Sequence, residues 1–130
     1  MSHTVLVCDD APIVRILVRA ALDREKYTVI VARDGHEALA LAASEQPDLI
    51  LLDVVMPGRS GHNVLDALRR DPATAATPII ILTAWTQATD GPEMLRAGAD
   101  RYLTKPFSPH QLASLVDELL RDPIAPARAA

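Results

Sequence analysis

Pro47-Asp48-Leu49-Ile50-Leu51-Leu52-Asp53-Val54-Val55-Met56-Pro57-Gly58 is the stretch that decides the fold. Leu49 to Leu52 run apolar without alternation and end on a carboxylate. A strand that is apolar along its full length fits a parallel sheet covered on both faces. The carboxyl end of such a strand is where open α/β sheets do their chemistry, so Asp53 is placed for function. Pro47-Asp48 introduces the strand, and Pro57-Gly58 with Gly61 marks an ordered loop after it.

Similar apolar runs recur on either side. Val5-Leu6-Val7 is read as strand one and ends near Asp9 and Asp10; Tyr27 to Ala32 is strand two. Ile79 to Leu82 is strand four, closed by Thr83, and Arg101 to Leu103 is strand five, followed by Lys105. Helical patterns alternate with them. Pro12 to Leu22 carries apolar residues at 13, 14, 17, 18, 21 and 22, and Pro12 suits a first helical turn. Asp34-Gly35 breaks the chain before an Ala/Leu helix from Glu37 to Ser44. Val64, Leu65 and Leu68 line one side of helix three. Helix four is weak, with Thr89-Asp90-Gly91-Pro92 as its cap or start and about seven residues to Ala97. Gly98 is its left-handed stop. Ser108 caps helix five, which Pro109 enters, with Leu112, Leu115, Val116, Leu119 and Leu120 toward the core. Strands and helices alternating at this short spacing predict an α/β domain over residues 1–122. Residues 123–130 read as a flexible tail or the start of a linker.

Composition narrows the function. A 130-residue chain holds one ordinary domain. Its formal charge of −4, from 13 basic and 17 acidic residues, argues against direct nucleic-acid binding, which needs a basic face. Cys8 is the only cysteine, so no intrachain disulfide or thiolate metal cluster forms, and its place in an apolar strand predicts a buried, inert thiol. No apolar run approaches the roughly 18–20 residues of a membrane span, and the start lacks a signal peptide's basic and apolar regions. A reduced, cytoplasmic setting without membrane contact is expected. His3, His36, His62 and His110 have no metal or relay spacing and read as surface residues. Three carboxylates, one hydroxyl and one ammonium converging on one rim suit a divalent cation and a phosphoryl group.

With these residues in view, the sequence closely resembles the receiver domain of two-component response regulators. The resemblance rests on Asp9-Asp10, on Asp53 followed by Met56-Pro57 and Gly61, on Thr83-Ala84, and on Tyr102 ahead of Lys105-Pro106-Phe107. It runs from Thr4 to about Leu120. It implies a flavodoxin-like (βα)5 doubly wound sheet of five parallel strands, order 2-1-3-4-5. It also implies roles. Asp53 would be the phosphoacceptor. Asp10 would hold Mg²⁺ (Mn²⁺ is the alternative ion) directly, and Asp9 directly or through a water, with Asp53 and the Val55 backbone carbonyl as further ligands. Lys105 would pair with Asp53 and then with its phosphoryl oxygens. Thr83 would donate to a phosphoryl oxygen, with small Ala84 leaving room. Tyr102 would move inward with Thr83 as the switch, changing the helix four, strand five and helix five face. The resemblance further implies a cis bond between Lys105 and Pro106.

The partners so implied are a histidine kinase or histidine phosphotransfer protein, and an output protein or fused effector domain. Such a chain is no enzyme beyond its own Mg²⁺-dependent phosphorylation and dephosphorylation. Some details depart from the pattern. Val55 and Trp85 are apolar where relatives often place polar rim side chains, which predicts a longer-lived phosphoryl group. Asp100-Arg101, in place of two acids, and His110, in place of arginine, argue against the charge-paired dimer of some transcription regulators, leaving a monomer or weak dimer. Two other readings compete: a phosphorylation-independent scaffold or allosteric partner-binding domain, and an aspartate-nucleophile phosphohydrolase. The second lacks the usual acid two residues after the nucleophile, where Val55 stands.

Overall fold

The computed structural model describes residues 3–23, 25–54, 61–84 and 90–121. Ten elements alternate: β1 (His3–Cys8), α1 (Pro12–Ala21), β2 (Tyr27–Ala32), α2 (Gly35–Glu45), β3 (Leu49–Asp53), α3 (Gly61–Arg70), β4 (Ile79–Ala84), α4 (Asp90–Arg96), β5 (Arg101–Lys105) and α5 (Pro109–Arg121). The strands form one parallel sheet of order β2-β1-β3-β4-β5, the flavodoxin-like order expected.

The unbroken apolar runs follow from two cores. Successive strand side chains point to opposite faces. Leu6, Ile50, Leu52 and Ile81 therefore pack with Ala38, Val64, Leu65, Leu68 and Met94 from α2, α3 and α4. Val7, Leu49, Leu51 and Leu82 pack with Val14, Val18, Leu112 and Val116 from α1 and α5. Two helices start at side-chain caps. Asp34 accepts the Glu37 N–H at 2.8 Å, and Glu37 reaches back to the Arg33 N–H at 2.7 Å. At α5 the cap is reciprocal: Ser108 Oγ accepts the Gln111 N–H at 3.1 Å, and Gln111 Oε1 accepts the Ser108 N–H at 2.9 Å.

Several boundaries differ from the sequence reading. α2 begins at Gly35, because Asp34 caps it instead of breaking the chain. β5 extends to Lys105, pairing Ala84 with Lys105, so the lysine ends the strand instead of following it. Thr83 likewise lies within β4, paired with Thr104. α4 starts at Asp90, with Gly91 and Pro92 inside its first turn, and ends at Arg96. Ile13 is 58% exposed and so is not part of the α1 core stripe, which is carried by Val14 and Val18. Cys8 is buried, and burial pushes its thiol pKa up, helped by the charges of Asp9 and Glu37. His3, His36, His62 and His110 are exposed. No helix among the described residues is long and apolar enough to cross a membrane.

Candidate phosphoacceptor site

Topology assembles the site. β1 and β3 are neighbours although α1, β2 and α2 lie between them in sequence, so the chain reverses its winding there and opens a crevice at the strands' carboxyl ends. Cys8 pairs with Leu52, which brings Asp9, just beyond β1, level with Asp53 at the end of β3. Asp53 pairs with Leu82, so Thr83 stands one residue further along β4. In β5, Lys105 has the pleat parity of Leu103, which packs on the α1/α5 core as Leu51 does. Asp53 and Lys105 thus share a face of the sheet.

Asp9, Asp10 and Asp53 each offer a carboxylate oxygen within 4.8 Å of the others. Asp9 is fully buried, Asp53 is 7% exposed, and Asp10 is exposed. The Lys105 ammonium donates to Asp9 Oδ2 at 2.8 Å and lies 3.4 Å from Asp53 Oδ1. Three clustered acids repel one another, and the ammonium offsets part of that repulsion. Asp9 Oδ1 accepts the Ala11 N–H at 2.8 Å, so this carboxylate also shapes the entry to α1. The donor set is hard oxygen at close range, which fits Mg²⁺ better than a softer metal. Asp10, the exposed member, is the acid best placed to meet an ion from solvent.

Thr83 is fully buried at the end of β4, and Tyr102 is 38% exposed on β5. The Lys105–Pro106 bond is cis, as the resemblance implies. The structure therefore brings Asp9, Asp10, Asp53 and Lys105 into one cluster, with Thr83 on the adjoining strand. Val55 and Trp85, with the rim and phosphoryl-lifetime reading built on them, lie outside the described residues, as does the 123–130 tail. Asp100 is buried and pairs with Arg69 at 3.1 Å, while Arg101 pairs with Glu118 at 3.4 Å, so both are engaged within the chain.

One feature of the rim was missed. Ile13, Val14, Leu17, Lys105, Pro106 and Phe107 line an apolar groove of about 260 Å³ beside the carboxylates. Of its lining, Ile13 stands 58% exposed. The available signal was Ile13 itself, an aliphatic residue off the 14/18/22 stripe.

Comparison with known proteins agrees with this fold. The family profile described as "Response regulator receiver domain" matches residues 5–117. The phosphate regulon transcriptional regulatory protein PhoB of Pseudomonas aeruginosa is 39% identical over 121 residues, 93% of this chain and 53% of that protein. Protein PilH of the same organism is 37% identical over 116 residues, 89% of this chain and 96% of that protein. The chain spans about half the length of PhoB and of the similarly matched regulators RpaA of Synechocystis and PhoP of Bacillus subtilis. Among solved structures, the chemotaxis response regulator CheY4 of Vibrio cholerae superposes with a TM-score of 0.84 at 35% identity, covering 92% of this chain and all of that one. A match across nearly the whole described fold, on a sheet of the same order, places the chain in the response regulator receiver domain family of two-component signalling.

Proposed function

We propose that this receiver takes a phosphoryl group onto Asp53 from a phosphohistidine on a histidine kinase or phosphotransfer protein in the cytoplasm. The observation that carries the reading is the Lys105 ammonium, 2.8 Å from Asp9 and 3.4 Å from Asp53, inside a triad of carboxylates. A carboxylate oxygen of Asp53 attacks phosphorus in line. The P–O bond to Asp53 forms as the P–N bond breaks, and the leaving imidazole keeps the bonding electron pair and takes up a proton. Lys105 follows the negative charge as it moves from the Asp53 carboxylate to the phosphoryl oxygens. The Thr83 hydroxyl donates to one of those oxygens. Asp10 and Asp53 would hold Mg²⁺, with the Val55 carbonyl as the further ligand that the resemblance implies, while Asp9, already bonded to Ala11 and Lys105, would act through a water. When bound, Mg²⁺ neutralises charge on the transferring group.

The donor protein docks along the apolar groove between α1 and the β5–α5 junction, where Ile13 is exposed next to Lys105 and Pro106. Phosphorylation draws Thr83 inward, and Tyr102 follows from its exposed position. The α4, β5 and α5 surface then changes for an output protein or a fused effector. Residues 1–122 form the receiver unit. Intact mass of wild type and Asp53→Asn after incubation with Mg²⁺ and acetyl phosphate tests the assignment. Wild type alone should gain about 80 Da, one phosphoryl group. Equal addition to both proteins would remove Asp53 as the acceptor.

A further inference from the structure

α4 has seven residues, too few to persist as an isolated helix, so what holds each end matters. Its carboxyl end is tied closely. The N–H groups of Ala97, Gly98 and Ala99 donate to the carbonyls of Glu93, Leu95 and Met94 at 2.9, 3.1 and 2.9 Å. Gly98 has a φ of 120°, which side-chain-bearing residues rarely adopt. An added Cβ there would also stand 3.2 Å from Arg69 Cγ.

Arg69, in the last turn of α3, reaches across to this turn. Its Nε donates to the Gly98 carbonyl at 2.9 Å and its Nη2 to Asp100 Oδ2 at 3.1 Å. Its Nη1 donates to the carbonyl of Thr77 at 2.7 Å and, more loosely, to those of Ala75 and Thr74. Asp100 is fully buried, and the same carboxylate oxygen accepts the Ile79 N–H at 2.8 Å. The Asp100 N–H returns a bond to the Ile79 carbonyl at 2.9 Å. One guanidinium therefore joins the end of α3, the 71–78 connection, the first residue of β4 and the turn that closes α4. The planar fork of arginine is suited to such simultaneous donation, and lysine is not.

The amino end of α4 is built differently. Gly91 lies in its first turn, where glycine weakens a helix, and Pro92 beside it neither removes nor adds an intrahelical hydrogen bond. The link that reaches α4 from the start of α3 is His62 to Glu93, at 3.8 Å with both side chains about half exposed. Such a pair is screened and contributes little.

We propose that Arg69 is a positioning residue that pins the carboxyl-terminal turn of α4 as a fixed pivot at Gly98. α4 then opens and reorients from its Asp90 end while its junction with β5 stays clamped to β4. Together with the phosphorylation reading above, on which this clause rests, it means that Glu93 and Leu95 swing against a stationary β5.

Residue-resolved amide exchange on the unmodified protein, wild type against Arg69→Lys, tests the pivot. In wild type, Ala97, Ala99 and Asp100 should exchange at least tenfold more slowly than Leu95 and Arg96. In Arg69→Lys that gap should close, while β1 amides keep their protection once any change in global stability is subtracted. Equal protection from Leu95 to Asp100 in wild type would overturn the inference, and so would a uniform loss throughout the variant. The wild-type gradient is decisive even if the variant folds poorly. Failure to accept a phosphoryl group would overturn the functional reading and leave this comparison standing.

Discussion

Gly61 should be the most restrictive position on the acceptor rim. It opens α3, and its N–H donates to the Val54 carbonyl at 2.9 Å. A Cβ built on it would lie 2.7 Å from Val54 Cα, 2.8 Å from the Asp53 carbonyl oxygen and 2.9 Å from the Val54 carbonyl oxygen. All three are backbone atoms, so no side chain can swing away. Ordinary contact begins near 3.4 Å, so in Gly61→Ala the end of β3 and the start of α3 must part by roughly 0.5–0.7 Å. Gly61 does not have a positive φ, so alanine fits its backbone, and helix propensity alone would favour the variant by up to about 1 kcal/mol. Overpacking costs about 1–3 kcal/mol, which outweighs that gain. The net expectation is a loss of about 1–2 kcal/mol, read as a lower urea midpoint at an unchanged slope. The same displacement moves the Asp53 main chain relative to Lys105. Misplacement by about 1 Å can cost on the order of a hundredfold, so half of that should slow phosphorylation by acetyl phosphate roughly tenfold. A time course of intact mass measures the rate. An unchanged or raised midpoint, with a rate within about twofold of wild type, would refute the close-approach argument.

Other expectations follow from single contacts. Lys105→Met leaves Asp9 and Asp53 facing each other without their ammonium, so the variant should be less stable in EDTA and gain more thermal stability from added Mg²⁺ than wild type; an equal Mg²⁺ increment, read by thermal melts, would show that the ammonium does not offset the carboxylates. Ile13→Ser, at a groove position 58% exposed, should slow phosphotransfer from the cognate donor protein at least tenfold and leave the acetyl phosphate rate unchanged; equal slowing with both donors would place the defect in the site and not in docking. Burial holds the Cys8 thiol protonated in the fold at pH values where the unfolded thiol ionises. The unfolded chain then binds fewer protons, so stability falls as pH rises above the ordinary thiol value of about 8.5, by up to about 1.4 kcal/mol per pH unit from this group. Urea midpoints from pH 8 to 10 should therefore fall more steeply for wild type than for Cys8→Ala, and parallel slopes would mean that the thiol ionises in the native state.

The candidate site was legible in the sequence because Asp9, Asp53 and Thr83 close runs that the sequence marks. Apolar segments that stop at Asp9, Asp53 and Thr83 become stacked strands whose carboxyl ends finish level, and parallel pairing alone then gathers those side chains. Lys105 was read as lying after β5 because Thr104 and Lys105 are polar, yet backbone pairing with Thr83 and Ala84 carries the strand to that point. Ile13 was counted in the apolar period of α1, yet it stands 58% exposed. A helix period cannot tell a buried edge from an exposed one when aliphatic residues occupy both, and Val14 already fills the place against the sheet. The Arg69–Asp100 link was beyond any local pattern. Its partners are 31 residues apart, on a helix end and a strand entrance, and neither residue type signals burial on its own. A buried ion pair of this kind costs several kcal/mol when one partner is removed, although the intact pair contributes little net stability. Its value therefore lies in geometry. It joins the turn between α4 and β5 to the end of α3 and the start of β4, the point at which, on the proposal above, a change begun at the carboxylates would become a change of surface.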